Sequence, residues 1–211
     1  MAEFRLQSLV LGPVSTNVYL LQNTETKELI LVDPAANPDR IRQMILKMEG
    51  RPVAILLTHG HYDHFGAAKT LREEYGVPVY IEEEDERMLE DVGMNLSGSW
   101  DKPITLKADR LVKEGDVFHL AGLEVHVMHT PGHSEGSCCY YFPEISVLFS
   151  GDTLFCMSYG RTDLPGGSGR KITESVQRLL AELPEETAVL PGHDSYTDIG
   201  QEKKYNPLAF A

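Results

Sequence analysis

Residues 53–64 have the sequence VAILLTHGHYDH, in which a short apolar run is followed at once by three histidines and an aspartate. The apolar run has the length and composition of a strand that is buried on both faces. His59 and His61 lie two residues apart, so in an extended turn their side chains point the same way and can bind one metal ion. Asp63 and His64 follow at the predicted start of a helix and can face a second position. Four ligand-type side chains at a strand end predict a preorganised metal site.

Three later residues repeat this arrangement of apolar strand, glycine and ligand-type side chain, namely His133, Asp152 and His193. Each of them alone is more often structural than metal-binding. Together with the first four they give seven potential ligands on one strand-end surface, which predicts two divalent metal ions. The carboxylate of Asp152 has two oxygens with spare lone pairs and can bridge two cations. Imidazole with carboxylate favours zinc, with iron or manganese as alternatives, and the absence of cysteine from these motifs disfavours copper.

The rest of the chain alternates between strand patterns and helix patterns. Asn37 and Pro38 predict a capped helix start, and Gly50 is predicted to end that helix after an apolar stripe of 3.6-residue period. Further helices are predicted over Phe65–Tyr75, around Ile172–Leu183 and over Asp198–Tyr205. The predicted strands are Phe4–Leu11, Val18–Leu21, Glu28–Val32, Val53–Leu57, Val77–Ile81, Val117–Leu120, Leu123–Thr130, Ser137–Phe142, Ser146–Phe149 and Thr187–Leu190. This order predicts an α+β fold with two packed sheets and helices outside.

The composition is that of a globular protein with an acidic surface. The chain has 211 residues and a formal net charge of −13, so residues 1–211 are predicted to form a single domain. The negative charge argues against nucleic acid as a partner, because non-specific binding of nucleic acid needs a basic surface. About half of the excess charge lies in Ile81–Val92, which is predicted to be a solvated helix face.

Compartment and membrane association can also be predicted. The first residues lack the basic and apolar segments of a secretory signal, and no apolar run reaches the ~18–20 residues of a membrane span. Cys138 and Cys139 are adjacent and would point to opposite faces of a strand, and with Cys156 they form no paired framework. These features predict a cytoplasmic protein with reduced thiols and no membrane partner. They leave the oligomeric state open.

The motif of residues 59–64, continued by the three later residues, resembles the metallo-β-lactamase superfamily. The resemblance extends from about Leu9 to Pro207 and implies an αβ/βα sandwich, in which two mixed β-sheets carry helices on their outer faces and a metal site at one edge. It also implies a division of the ligands. Metal one would be held by His59, His61 and His133, metal two by Asp63, His64 and His193, with Asp152 as the bridge.

Particular positions narrow the branch within the superfamily. True β-lactamases usually have cysteine where Asp152 stands and commonly lack the equivalent of His64, and the flavo-diiron branch has glutamate where His61 stands. The segments 151–155, 160–168 and 191–207 resemble short bacterial glyoxalase II-like enzymes, which are hydroxyacylglutathione hydrolase-like. This resemblance implies hydrolysis of a small thioester by a metal-bridging hydroxide. Its catalytic residues would be Asp63 and Asp152, with substrate contacts from Arg161, Phe155 and Tyr159.

Two departures from the longer glyoxalase II enzymes affect the expected substrate. Those enzymes have a C-terminal helical region that helps to hold glutathione, and no C-terminal helical substrate-binding domain is predicted here beyond Pro207. They also place a lysine and a tyrosine near the positions of Arg161 and Asp163, and Asp163 would repel a carboxylate. Glutathione is therefore not expected to be held tightly.

Three other functions stay open from the sequence. The string Gly160-Arg161-Thr162-Asp163 also occurs in persulfide dioxygenases, which use a single iron ion held by two histidines and an aspartate. A nuclease or phosphodiesterase could use the same site, although the acidic charge argues against RNA. The third possible function is that of a zinc-binding protein without catalytic activity. Trp100 is predicted to flank the mouth of whichever site is present.

Overall fold

The computed structural model of the chain describes residues 3–99 and 103–211, so the predicted position of Trp100 lies outside the described residues. One sheet contains, in spatial order, β1 (Phe4–Leu11), β2 (Thr16–Asn23), β3 (Glu28–Val32), β4 (Arg51–Leu56), β5 (Val79–Glu82) and β6 (Arg110–Val112). The other contains, in spatial order, β14 (Thr197–Asp198), β13 (Ala188–Pro191), β10 (Val147–Gly151), β9 (Cys138–Phe142), β8 (Leu123–His129) and β7 (Val117–Leu120). A separate hairpin pairs β11 (Leu154–Phe155) with β12 (Ser158–Tyr159).

Both sheets are mixed, with parallel and antiparallel strand pairs. In the first sheet β3, β4, β5 and β6 run parallel, while β1 and β2 are antiparallel to their neighbours. In the second sheet β10 and β13 are parallel and the remaining pairs are antiparallel. The helices are α1 (Pro38–Met48), α2 (Tyr62–Phe65), α3 (Ala68–Tyr75), α4 (Glu86–Glu90), α5 (Gly169–Glu182) and α6 (Ile199–Tyr205).

Three apolar layers hold these elements together. The two sheets pack face to face through a cluster that includes Tyr19, Ile30, Leu56, Val125, Tyr140 and Phe149. Helices α1 and α3 cover the outer face of the first sheet through a cluster that includes Ile41, Ile45 and Leu71. Helices α5 and α6 cover the second through a cluster that includes Val176, Leu179 and Ile199. The αβ/βα sandwich expected from the resemblance is therefore confirmed. Cys138 faces the other sheet and Cys139 faces α5, on opposite faces of β9 as predicted.

Helix α1 begins and ends close to the predicted residues, but the residues at its two ends do not play the predicted capping roles. Asn37 precedes Pro38 as expected, but it is left-handed (φ 51°) and its side chain makes no capping hydrogen bond. At the other end Glu49, not Gly50, adopts the left-handed conformation (φ 52°) that ends the helix. A Cβ at Gly50 would lie 2.6 Å from Leu29 Cδ1, so a larger residue there would displace the buried Leu29 side chain.

The acidic run is only in part the predicted solvated helix face. It forms the end of β5, one 3₁₀ turn and the short helix α4. Glu82 is 2% exposed and Asp85 is fully buried, so two of its seven carboxylates point into the protein. The strands β6, β11, β12 and β14 were not predicted, since two or three residues are too short to show a period. No described helix is long and apolar enough to cross a membrane.

Candidate metal centre

The seven predicted ligands converge from four separate segments, each of which follows a strand of one of the two sheets. His59 and His61 follow β4, Asp63 and His64 lie in α2, and the remaining three follow β8, β10 and β13. All five histidines and both aspartates lie within one cluster at the ends of these strands. His59, His61 and His64 are at most 2% exposed. The two sheets therefore meet at a buried group of nitrogen and oxygen donors.

One set of donors consists of three histidines. Ligand atoms of His59, His61 and His133 all lie within 4.8 Å of one another. His61 Nδ1 is 2.9 Å from His133 Nε2. Imidazole nitrogens at this spacing, contributed by two sheets, form a set that a borderline-soft divalent ion can bind.

A second set combines two histidines with an aspartate. Asp63 Oδ2 lies 3.4 Å from His193 Nε2 and 3.5 Å from His64 Nε2, and the two histidine nitrogens are 3.4 Å apart. Donors bound at ~2.1 Å to a tetrahedral ion lie roughly 3.4 Å from each other. The spacing therefore matches that of ligands around one cation.

Asp152 lies between the two sets. Its Oδ1 is 3.4 Å from His64 Nε2, and its Oδ2 is 3.5 Å from both His133 Nε2 and His193 Nε2. One carboxylate thus reaches histidines of either set, which is the geometry that the predicted bridging role requires.

Buried polar atoms without partners show that these residues fit a metal ion. His59 Nε2, His61 Nε2 and Asp152 Oδ1 are buried and have no hydrogen-bond partner among the described residues. A buried polar group that lacks a partner costs roughly 1–3 kcal/mol, and more when it is charged. A bound cation would satisfy all three atoms, so the donor set agrees with metal binding.

Asp33 orients two of the histidines and was missed by the sequence analysis. It follows β3 in a left-handed conformation (φ 47°) and is buried. Its Oδ2 accepts from His64 Nδ1 at 2.9 Å and from Thr58 Oγ1 at 2.7 Å, and Thr58 Oγ1 lies 3.1 Å from His59 Nδ1. These contacts leave Nε2 of both His59 and His64 for a metal. The position after a strand was a signal that could have identified Asp33.

Asp85 connects the loops that carry two of the ligand groups. Its Oδ2 accepts from Gly60 N at 2.9 Å and from Ser134 Oγ at 2.7 Å, and its Oδ1 accepts from Gly136 N at 2.7 Å. Gly60 separates His59 from His61, while Ser134 follows His133. Burial raises the pKa of Asp85, although these hydrogen bonds oppose the shift. The sequence placed Asp85 in the acidic run and gave no signal of this role.

The loop before His193 is fixed by β2. Asn17 Nδ2 and Tyr19 Oη both donate to the carbonyl oxygen of Pro191, at 3.0 and 2.6 Å. Gly192 is required because a Cβ at this position would lie 2.3 Å from Asp152 Oδ1. The glycine before His193, noted in the sequence, therefore allows the His193 loop to lie close to Asp152.

The pKa values of the histidines in this cluster shift in opposite directions. Burial and the nearby His64 lower the pKa of His59, and burial followed by His133 lowers the pKa of His61 to about 3. Both are neutral at pH 7, the state in which imidazole binds a metal. Burial also lowers the pKa of His64, but Asp152, Asp63 and Asp33 together raise it to about 10.

The donors open into a pocket of about 670 Å³. All three predicted substrate-contact residues, Phe155, Tyr159 and Arg161, line this pocket, together with the apolar Val14, Leu96 and Leu164. Arg161 makes a two-point ion pair with Asp163, with Nε–Oδ1 and Nη2–Oδ2 distances of 2.7 and 2.8 Å. Its carbonyl oxygen accepts from His133 Nδ1 at 2.8 Å. The charged end of Arg161 is therefore already neutralised at the mouth, while its backbone holds a candidate ligand.

Curated relatives cover nearly the whole chain. An uncharacterized protein of Aquifex aeolicus is 37% identical over 97% of this chain and 96% of its own length. The probable metallo-hydrolase YqgX of Bacillus subtilis is 37% identical over 93% of both chains. The hydroxyacylglutathione hydrolase GloC of Haemophilus influenzae is 33% identical over 87% of this chain and 88% of its own.

Solved structures share the fold at similar identity. BLEG-1, described as a B3 metallo-β-lactamase, has a TM-score of 0.93 and 38% identity over 98% of this chain and all of its own. TTHA1623, described in a di-iron-bound form, has a TM-score of 0.83 and 38% identity over 95% and 98%. ETHE1 from Myxococcus xanthus has a TM-score of 0.78 and 30% identity over 96% and 83%. A family model described as the metallo-beta-lactamase superfamily matches residues 11–193. With its fold and its donor cluster in place, this chain belongs to the metallo-β-lactamase superfamily.

Proposed function

We propose that this member of the superfamily is a binuclear hydrolase of small thioesters, similar in reaction to the hydroxyacylglutathione hydrolases. The observation that carries the proposal is the seven-donor cluster, which opens into a pocket that also has apolar lining residues. Identity of 33% to GloC supports the thioester substrate, and 37% identity to a probable metallo-hydrolase supports the reaction class.

The residues divide into two metal sites in this proposal. His59, His61 and His133 would hold one ion, and Asp63, His64 and His193 the other, with Asp152 shared. Divalent ions would supply a water whose pKa is lowered to ~7 and a Lewis acid for the thioester carbonyl. Zinc suits this donor set, and iron is the first alternative because TTHA1623 is described in a di-iron form.

Asp63 would hold and orient the attacking water. Thr16 Oγ1 lies 3.3 Å from Asp63 Oδ2 and fixes its carboxylate. Burial acts to raise the pKa of Asp63, but His64 and His193 outweigh burial and hold the pKa below its ordinary value. The carboxylate therefore remains ionised and can accept a hydrogen bond from the attacking water, which orients it.

A thioester suits this site because its thiolate leaving group needs little protonation. A thiol has a pKa near 8.5, so a thiolate departs without a strong general acid. Phe155, Tyr159 and Leu164 offer apolar surface to the acyl or thiol group, whereas Arg161 is occupied by Asp163. We infer that a thioester of an uncharged thiol binds better than one of glutathione.

The proposal is tested with protein purified without added metal and then reconstituted. Elemental analysis is expected to give two ions per chain, and steady-state kinetics are expected to show hydrolysis of lactoyl-glutathione and of a neutral N-acetylcysteamine thioester. The panel includes a β-lactam, because BLEG-1 is described as a β-lactamase, and a persulfide with oxygen uptake as readout. One ion per chain with oxygen consumption would favour the dioxygenase instead.

Asp152→Ala tests the shared ligand. Both ions and turnover are expected to be lost together, because one carboxylate serves both sets. The matched control is Asp39→Ala, which removes an exposed carboxylate of α1. Retention of two ions with normal turnover in Asp152→Ala would contradict the bridging role.

A further inference from the structure

The hairpin β11–β12 forms one wall of the pocket beside the metal centre. Phe155, Ser158 and Tyr159 line the pocket, and the Phe155 ring meets the His193 ring edge-on with centroids 6.2 Å apart. The two strands pair over only two residues each. A two-stranded hairpin of this length is not stable on its own, so its position must be set by other elements.

A buried glutamate on α6 holds the turn of this hairpin. Glu202 is fully buried, and its Oε2 and Oε1 lie 2.9 and 3.1 Å from the backbone nitrogen of Met157. The carboxylate also accepts from Thr197 Oγ1 at 2.6 Å and from Asn206 Nδ2 at 2.8 Å. Met157 is left-handed (φ 53°). The strained turn residue is thus bound to a buried carboxylate group that accepts hydrogen bonds from three donors.

Asn206 holds the strand that follows the turn. Its Nδ2 donates to the carbonyl oxygen of Ser158 at 3.0 Å as well as to Glu202, and its Oδ1 accepts from Leu208 N at 3.0 Å. Both the oxygen and the nitrogen of the amide form hydrogen bonds, so flipping the amide by 180° would break them. Glu202 and Asn206 together are called the α6 clamp below.

We infer that the α6 clamp positions the substrate wall of the site, so that Glu202 and Asn206 set substrate selection without touching the metal ligands. Phe155 and Tyr159 flank the turn that the α6 clamp holds through Met157 and Ser158, so the α6 clamp fixes where they present their apolar surface. The inference rests on the proposed function for its kinetic readout, but the position of the hairpin can be measured without any substrate.

Glu202→Gln is the matched substitution. Glutamine keeps the shape but replaces one acceptor oxygen by an amide donor, which then faces the Met157 N–H or the Asn206 amide. A buried hydrogen-bonding group that loses its partner has roughly tenfold or larger effects on an equilibrium. The control is Glu185→Gln, the same chemical change at an exposed side chain beside α6.

Cys156 reports on the hairpin directly. It lies in the turn, is partly exposed and contacts Gln201 Nε2 at 3.5 Å, whereas Cys138 and Cys139 are buried. The rate at which a thiol reagent reacts with the native protein therefore measures how accessible Cys156 in the turn is. Glu202→Gln is expected to label about tenfold faster or more than the parent, with unchanged metal content. Its KM for the neutral thioester is expected to rise about tenfold, with kcat changed less than threefold.

A double-mutant cycle separates positioning from general damage. If Glu202 acts through the hairpin, Glu202→Gln raises KM far less in a Phe155→Ala background than in the parent. Additive effects, or unchanged labelling and KM in Glu202→Gln, would overturn the inference. If Glu202→Gln does not fold, Asn206→Ala, which releases Ser158, is measured in the same way. Faster labelling without hydrolysis by any variant or by the parent would leave the clamp standing and refute the thioesterase proposal.

Discussion

Asp163 decides how much positive charge the mouth of the site offers to a substrate. Its two oxygens occupy the guanidinium of Arg161, which lowers the pKa of Asp163 to about 2 and keeps the pair intact at working pH. Asp163→Asn is expected to free Arg161 for a substrate carboxylate. The KM for lactoyl-glutathione should fall about two- to fivefold, the range for an exposed ion pair, and the KM for a neutral thioester should not change.

Steady-state kinetics at low and high salt check this expectation. The gain for the glutathione thioester should shrink at high ionic strength, because exposed charges are screened. An equal change in KM for both substrates would show that Asp163 acts on the shape of the loop instead of its charge.

Single residues also show what the sequence could and could not predict. The strand–glycine–ligand pattern predicted where His133, Asp152 and His193 would lie, because strand ends meet at one edge. Asp33 also follows a strand directly, but Val32 and not glycine precedes it, so this pattern did not include it. Asp85 could not be found this way, since its role depends on burial against Ser134 and Gly136, which are distant in sequence.

Among the elements, the end of β5 carries a carboxyl group whose ionisation is unfavourable. Burial, with Glu84 and Asp85 nearby, raises the pKa of Glu82 from 4.5 to about 7, although the Glu84 N–H and His129 oppose the shift. Between these pH values the folded chain binds more protons than the unfolded chain, so the free energy of unfolding falls as the pH rises. Glu82→Gln is expected to flatten this fall between about pH 5 and pH 8.

Urea unfolding of the two proteins at several pH values makes the comparison. Glu83→Gln, at a neighbouring carboxylate on the 3₁₀ turn, serves as the control and should keep the slope of the parent. A parent whose stability is constant or increases through this pH range relative to Glu82→Gln would contradict the assignment.

Long elements were predictable and short ones were not. β1, β3 and β7 have the predicted bounds, because each carries enough apolar residues to show a pattern. The predicted helix over Phe65–Tyr75 begins three residues later, as α3 (Ala68–Tyr75), and Phe65 is the last residue of the separate helix α2. A Cβ at Gly66 would lie 2.3 Å from the carbonyl oxygen of Ala35, so a tertiary contact decides where the chain breaks.

For the whole molecule, metal binding is expected to contribute to stability. An ion that binds only the folded chain adds about 2.7 kcal/mol when its concentration is 100 times its Kd, and in a chain of this size 1 kcal/mol shifts Tm by roughly 2–4 °C. Chelation should therefore lower Tm by about 5–10 °C per site, and readdition of zinc should restore it. Thermal unfolding with and without chelator measures this, and an unchanged Tm would count against occupied sites.

The two sheets are built from consecutive parts of the sequence. Every strand of the first lies within residues 4–112, and every strand of the second lies within residues 117–198. The first part supplies His59, His61, Asp63 and His64, and the second supplies the other three donors. A chain cut between β6 and β7 would divide the donors four to three between its fragments. Binding of two metal ions would then require both fragments, so the metal content would measure whether the two halves of the protein have assembled.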